Sequence, residues 1–175
     1  MLWMHAGRPC KRKKDDIMRI HAAKAPDYDR LTDIWEAAVR ATHDFLTEDD
    51  IAHYRPLVRD TYLRMVELVV VEDADGVFGF MGLMPPDASQ GLPASVPMLF
   101  VHPSRHGRGA GRALLGYASM KYGALALDVN EQNPGACAFY ERCGFTVIGR
   151  SDTDGEGRPF PLLHLFRNAL SGSAG

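Results

Sequence analysis

A run of glycines and basic side chains between residues 99 and 115 is the part of the sequence best suited to chemistry. It reads Leu-Phe-Val-His-Pro-Ser-Arg-His-Gly-Arg-Gly-Ala-Gly-Arg-Ala-Leu-Leu. An apolar stretch stops at a proline, three glycines follow, and an amphipathic pattern begins, which predicts a strand, a turn and a helix N-terminus. The first N–H groups of a helix attract phosphate, and Gly107, Gly109 and Gly111 let the backbone approach it closely. We therefore expect a pyrophosphate group to bind here.

Three other phosphate-binding loops fit this segment poorly. A Walker loop ends in Gly-Lys-Ser/Thr, whereas here Gly111 is followed by Arg112 and Ala113. A dinucleotide fingerprint has glycines as G-x-G-x-x-G and an acid about 20 residues later; Asp128 suits the second requirement, but the glycines run G-x-G-x-G. A kinase loop lies between two strands, and here a helical pattern follows. The alternative is a glycine-rich turn that starts a helix and binds no ligand. In that case the arginines would have no ligand to contact.

The composition is that of an ordinary globular domain. The chain has 175 residues, 46% hydrophobic and 24% charged, with a formal net charge of −2. This charge provides no general attraction to nucleic acid or to an anionic membrane, and no apolar run reaches the roughly 20 residues that span a bilayer. Three cysteines without C-x-x-C spacing disfavour a disulfide framework or a metal site and favour a reducing cytoplasm. We expect a tail at 1–16, one domain at 17–168 and a flexible end at 169–175.

The hydrophobic periodicity predicts the order β-α-α-β-β-β-α-β-α-β-β, which is an α/β domain around a mixed sheet. The segment 96–129 reads strand, helix, strand and should form a right-handed parallel crossover. Asn133 and Pro134 predict a helix start, and Gly144 predicts its left-handed end. Pro56 is expected to kink or split the second helix.

With these two segments placed, the chain resembles the GNAT superfamily of acyl-CoA-dependent N-acetyltransferases, in particular a subgroup of small bacterial members. The resemblance covers residues 18–166. The family's turn, Arg/Gln-x-x-Gly-x-Gly/Ala, matches His106-Gly107-Arg108-Gly109-Ala110-Gly111. Its second signature matches Asn133, Ala136, Phe139-Tyr140 and Gly144-Phe145.

This resemblance implies a GNAT fold, with a splayed mixed sheet of six to seven strands flanked by about four helices. It implies direct acetyl transfer from acetyl-CoA to a primary amine, without a metal. The backbone from Gly107 to Arg112 would hold the CoA pyrophosphate, and the strand around Leu99, Phe100 and Val101 would pair with the pantetheine arm. Asn133 would hydrogen-bond that arm, and Tyr140 would stand near the thioester sulfur.

Tyr140 is the candidate acid. A tyrosine hydroxyl with a pKa of about 10 can donate to a departing thiolate only if its surroundings position it. The alternative is a core aromatic side chain, since Ala136, Phe139, Tyr140 and Cys143 form one helical stripe.

No residue in the sequence is an obvious general base. Many relatives carry an acid four positions before the equivalent of Val101, and that position is Pro97 here. His43, at the predicted end of the first helix, is the leading substitute because imidazole titrates near neutral pH. Its neighbours Asp44 and Phe45 are the other candidate acceptor-site residues. A helix-end histidine that bonds only to local groups is the competing interpretation.

Asp128 and Glu131 are further candidates for the base, and His164 is interpreted as a core histidine. The missing acid also leaves open a catalytically weak CoA-binding sensor or regulatory module, while a nucleotide-binding protein is disfavoured. No pattern identifies the acceptor, which could be a small molecule or a peptide amine. By the resemblance we expect a monomer or a homodimer.

Overall fold

The computed structural model describes residues 17–169, which form a seven-stranded sheet with two helices on each face. The strands are β1 (Arg19–Ala22), β2 (Glu67–Asp73), β3 (Gly76–Met84), β4 (Ala94–Val101), β5 (Leu125–Asn130), β6 (Thr146–Ser151) and β7 (Leu162–Arg167). The helices are α1 (Tyr28–Thr42), α2 (Glu48–Asp60), α3 (Ala110–Tyr122) and α4 (Pro134–Arg142). The predicted element order and fold class are confirmed. The predicted tails lie outside the described residues, apart from residue 169.

Helix α4 begins and ends at the residues that the sequence indicates. The Asn133 side chain accepts a hydrogen bond from the Ala136 N–H at 3.0 Å, and Pro134 occupies the first helical position. Gly144 follows the helix with a φ of +84°, a conformation that glycine adopts without steric cost. Local side-chain chemistry is therefore sufficient to set both ends of this helix.

Helix α2 is not split at Pro56, one of the two outcomes expected there, and it continues to Asp60. Proline removes one backbone donor and crowds the preceding turn. The buried side chains of Ile51 and Val58 anchor the helix on both sides of the proline. Tertiary packing thus outweighs the local preference to break.

The sheet order is β1-β2-β3-β4-β5-β7-β6. The only parallel pair in this order is β4 with β5, which helix α3 connects. The predicted parallel crossover is confirmed. All other neighbouring strands are antiparallel.

Two hydrophobic clusters hold the helices onto the sheet. The cluster beneath α3 and α4 includes Leu114, Leu115, Leu125, Leu127 and Tyr140. The cluster beneath α1 and α2 includes Ile34, Trp35, Val70, Phe80 and Met98. Within residues 17–169, no helix combines the length and the apolar character needed to cross a membrane.

Strand β4 carries a bulge that separates it from β5. Gly82 pairs with Met98 and Met84 pairs with Ser95, so Val96 and Pro97 together oppose a single residue of β3. The parallel ladder to β5 consists of Ala94 with Leu125 and Ser95 with Ala126, and it ends before the bulge. Proline has no N–H to continue a ladder. Beyond this point β4 and β5 diverge, as the family resemblance implied.

Candidate active site

A cavity of about 610 Å³ lies where β4 and β5 separate, and residues from both faces of the sheet line it. Most of the predicted site residues contribute to its wall, namely His43, Leu99, Phe100, Val101, His106, Gly107, Gly109, Ala110, Gly111, Arg112, Asn133 and Tyr140. The structure adds residues that the sequence patterns did not single out for the site, including Ala38, Thr42, Arg105, Asn130, Phe139 and Arg142. Chain segments as far apart as α1 and α4 therefore meet around one space.

The N-terminus of α3 opens onto this cavity without a side-chain cap. Gly109 is its N-cap residue with a φ of +81°, and Gly107 before it has a φ of +76°. A Cβ atom on either glycine would meet nothing within 4 Å, so the space in front of the turn is empty of protein. The first backbone bond of the helix runs from the Ala113 N–H to the Gly109 carbonyl, and the N–H groups before it are available to an anion.

Gly111 has a different structural role from the one that the sequence suggested. Its φ is not positive, and an added Cβ would lie 3.0 Å from Cζ of Phe139 on α4. This glycine therefore allows α3 and α4 to approach each other beside the cavity.

The turn is tied to the strand before it by His106. Its Nε2 lies 2.8 Å from the Val101 carbonyl, and because a carbonyl only accepts, this nitrogen carries the proton. The family's Arg/Gln position is thus occupied by a side chain that fixes the turn to the end of β4.

Arg105 fixes the same turn to the β2–β3 hairpin. Its guanidinium donates to Asp73 at 3.0 Å and to Asp75 at 2.6 Å. Burial alone would raise the pKa of the Asp73 carboxyl, but the Asp75 N–H, Arg105 and nearby Arg108 outweigh it and lower that pKa. Arg108 does not line the cavity, unlike Arg112. Since 30 or more residues separate Arg105 from its partners in the sequence, no local pattern could have indicated this link.

Tyr140 is packed between Phe139 and Phe145, with ring centroids 5.1 and 5.7 Å away, and is 9% exposed. Burial raises the pKa of its hydroxyl, so the group stays protonated. Tyr140 also lines the cavity. It is a core aromatic and a cavity residue at once.

His43 lies at the C-terminal end of α1, where its N–H donates to the Val39 carbonyl. The Thr42 hydroxyl donates to the Ala38 carbonyl at 2.8 Å and also lies 2.8 Å from Nδ1 of His43. Because that hydroxyl proton is already used, Nδ1 carries the imidazole proton, and Nε2 of the neutral ring has a free lone pair. Burial lowers the pKa of His43, while the charge of Asp44 opposes the shift. A neutral imidazole therefore faces the cavity.

Asp44 and Phe45 do not line the cavity. Asp44 is exposed, and the ring of Phe45 lies 5.3 Å from that of His43 and 5.8 Å from that of Phe160. The Phe45 ring therefore packs between the ring of His43 and that of Phe160 in the β6–β7 loop.

The two acidic candidates occupy different surroundings. Asp128 lines the cavity, whereas Glu131 pairs with Arg150. His164 is not enclosed in the core as expected, because its side chain is 35% exposed and lies 2.7 Å from Asp128. The alternation along β7 placed this histidine on the less covered face of the sheet.

This fold, with an uncapped helix N-terminus at a gap between parallel strands, is that of an acetyltransferase. Residues 65–147 match the acetyltransferase (GNAT) domain. A peptidyl-lysine N-acetyltransferase, YjaB of Salmonella typhimurium, is 36% identical over 149 residues, covering 85% of this chain and 97% of that protein. The chain belongs to the GNAT family and is an N-acetyltransferase.

Solved structures agree on the fold. The solution structure of apo YjaB from Escherichia coli has a TM-score of 0.76 at 34% identity, over 88% of this chain and 99% of that one. The PaiA N-acetyltransferase from Thermoplasma acidophilum, solved in complex with coenzyme A, has a TM-score of 0.71 at 18% identity, over 87% and 99% of the two chains. These findings favour the enzyme over a regulatory module without transfer activity.

The burial of His43 can be measured by NMR titration of its imidazole protons. We expect a midpoint below the ordinary value of 6.5, because burial disfavours the charged ring. Asp44→Asn should lower the midpoint further, since the Asp44 charge stabilises the protonated form. Asp49→Asn, which removes an exposed carboxylate on α2, is the matched control and should leave it unchanged. A wild-type midpoint at or above 6.5, or equal shifts in both variants, would contradict this assignment.

Proposed function

We propose that this enzyme transfers the acetyl group of acetyl-CoA to the ε-amino group of a lysine in a peptide or protein. The observation that carries the proposal is the cavity at the gap between β4 and β5, which is lined by the uncapped N-terminal turn of α3 and by His43. The relatives named as peptidyl-lysine N-acetyltransferases support the choice of acceptor.

Residues on the α3 side of the gap suit CoA. The N–H groups at the start of α3 would hold the pyrophosphate, with Arg112 and Arg142 adding positive charge at the cavity wall. Beyond Ser95, β4 has no β5 partner, so the free edge of the strand can pair with the amides of the pantetheine arm. The Asn133 carbonyl oxygen is used in capping α4, which leaves its NH2 group for the same arm. When bound, acetyl-CoA supplies an activated thioester.

His43 would act as the general base. A lysine side chain with a pKa of about 10.4 arrives charged and must lose a proton before it can attack. Nε2 of the neutral His43 ring is free to accept that proton, and burial keeps the ring neutral until then. His43 thereby fills the role that Pro97 cannot perform.

Tyr140 would stabilise the departing sulfur. Its raised pKa keeps the hydroxyl protonated, so it donates a hydrogen bond to the thiolate rather than ionising. The second proton of the attacking nitrogen ends on that sulfur. The products are then an amide, a thiol and one proton held by His43, and both atoms and charge balance.

The acceptor can be tested with two peptides. One has an acetylated N-terminus and a single lysine, and the other has a free N-terminus and arginine in place of that lysine. We expect enzyme-dependent thiol release from acetyl-CoA with the first peptide only, and a mass increase that maps to the lysine. Reactions without enzyme correct for spontaneous acetylation. Acetylation confined to the second peptide would refute the proposed acceptor.

Binding of CoA should depend on Gly109. Gly109→Ala forces a side chain into the left-handed region at the start of α3, and we expect the dissociation constant of CoA to rise about tenfold, in line with ~1–2 kcal/mol of backbone strain. Gly91→Ala is the matched control, because Gly91 also has a positive φ with open space around it but lies far along the chain from the turn. Titration calorimetry should show unchanged CoA affinity for that variant. Equal losses in both would contradict a local role.

Tyr140→Phe should lower kcat by about a hundredfold or more, because removing one donor that stabilises developing negative charge costs roughly 10²–10³ in kcat. CoA affinity should stay nearly the same, since the ring and its packing remain. Tyr117→Phe, on α3 outside the cavity wall, is the control and should retain full turnover. Unchanged turnover in Tyr140→Phe would exclude the hydroxyl from the reaction.

A further inference from the structure

Three side chains from adjacent strands form a hydrogen-bonded row that starts at the cavity. Oδ1 of Asp128 on β5 lies 2.7 Å from Nδ1 of His164 on β7. Nε2 of the same ring lies 2.7 Å from Oγ of Ser151 on β6. Asp128 lines the cavity, whereas His164 and Ser151 do not. The row therefore connects the cavity with the edge strand of the sheet.

The proton positions along this row follow from its chemistry. A carboxylate only accepts hydrogen bonds, so Nδ1 of His164 carries a proton and donates it to Asp128. In the neutral ring Nε2 then accepts, and the Ser151 hydroxyl donates. Both ring nitrogens and one carboxylate oxygen are thus occupied. The second oxygen of Asp128, Oδ2, makes no hydrogen bond to the protein within residues 17–169.

Charged side chains of both signs line the cavity. Arg112 and Arg142 line it together with the α3 turn and the α4 helix, and Arg105, which also lines it, is paired with Asp73 and Asp75. Asp128 is the single carboxylate among the described residues of its wall. A lysine acceptor arrives as an ammonium ion, which an unpaired carboxylate oxygen attracts and an arginine repels.

We propose that His164 is a positioning residue for the acceptor. Through its bonds to Asp128 and Ser151, it holds the Asp128 carboxylate in one rotamer, so that Oδ2 accepts a hydrogen bond from the ammonium group. Asp128 then places the amine beside His43. This inference rests on the proposed function only in taking the acceptor as a cationic primary amine.

Steady-state kinetics with two substitutions of the histidine tests this role. His164→Leu removes the donor to Asp128, and we expect KM for the lysine peptide to rise about tenfold, the usual effect of losing a charge-assisted hydrogen bond. His164→Asn keeps an N–H near the position of Nδ1 and should stay within about threefold of wild type. The dissociation constant of CoA should be unchanged in both, which also shows that they are folded.

A double-variant cycle asks whether His164 acts through Asp128. Asp128→Asn should raise KM as much as His164→Leu, and combining the two should add nothing further. Thr146→Val is the control, because it deletes another side-chain bond between β6 and β7, from Thr146 to the Phe166 carbonyl, and should leave KM unchanged. Additive effects, an unchanged KM in His164→Leu, or equal losses in the leucine and asparagine variants would overturn the proposal.

The cycle is run with whichever of the two peptides the wild-type enzyme acetylates. A wild-type enzyme that prefers the free N-terminus would refute the lysine acceptor while leaving this test intact, because an α-ammonium group also needs an anionic partner.

Discussion

The separation of β4 from β5 is the constraint on which the rest of the site depends. Two adjacent parallel strands normally continue their ladder, and here it stops after two residue pairs. The bulge at Val96 and Pro97 shifts the register of β4, and the missing proline N–H removes a donor at the same point. A gap in a sheet is costly unless other groups satisfy the backbone on its edges. A ligand rich in amides, such as pantetheine, is suited to that purpose.

Pro97 therefore has two consequences that belong together. It lines the cavity but carries no group that can accept a proton. It also helps to open the strands, so that the two faces of the sheet communicate through the cavity. His43 at the end of α1 also lines the cavity, where Thr42 fixes the tautomer of its ring and burial lowers its pKa. The hydrogen bonds that join His43 to Thr42 and Thr42 to the Ala38 carbonyl thus determine which ring nitrogen of His43 can accept a proton.

The turn before α3 is held in position by both neutral and charged contacts. Positive φ at Gly107 and Gly109 shapes the backbone, and no side chain caps the helix. His106 bonds the turn to the Val101 carbonyl, and Arg105 bonds it to the carboxylates of the β2–β3 hairpin. Because Arg105 is engaged with Asp73 and Asp75, its charge is largely neutralised, whereas the helix N-terminus and Arg112 present positive charge to the cavity.

The sequence by itself determined the elements and the glycine-rich turn that lines the cavity. Strand and helix signals are local, as in the Asn133 cap and Gly144, and a Gly-rich turn before a helix carries its chemistry within a few residues. Pro56 shows the limit of such signals, since packing of Ile51 and Val58 overrode it. Only the tertiary structure decided which side chains from distant segments meet around the cavity. Asp128, His164 and Ser151 come from three strands and become neighbours through sheet order and register, which no spacing in the sequence encodes.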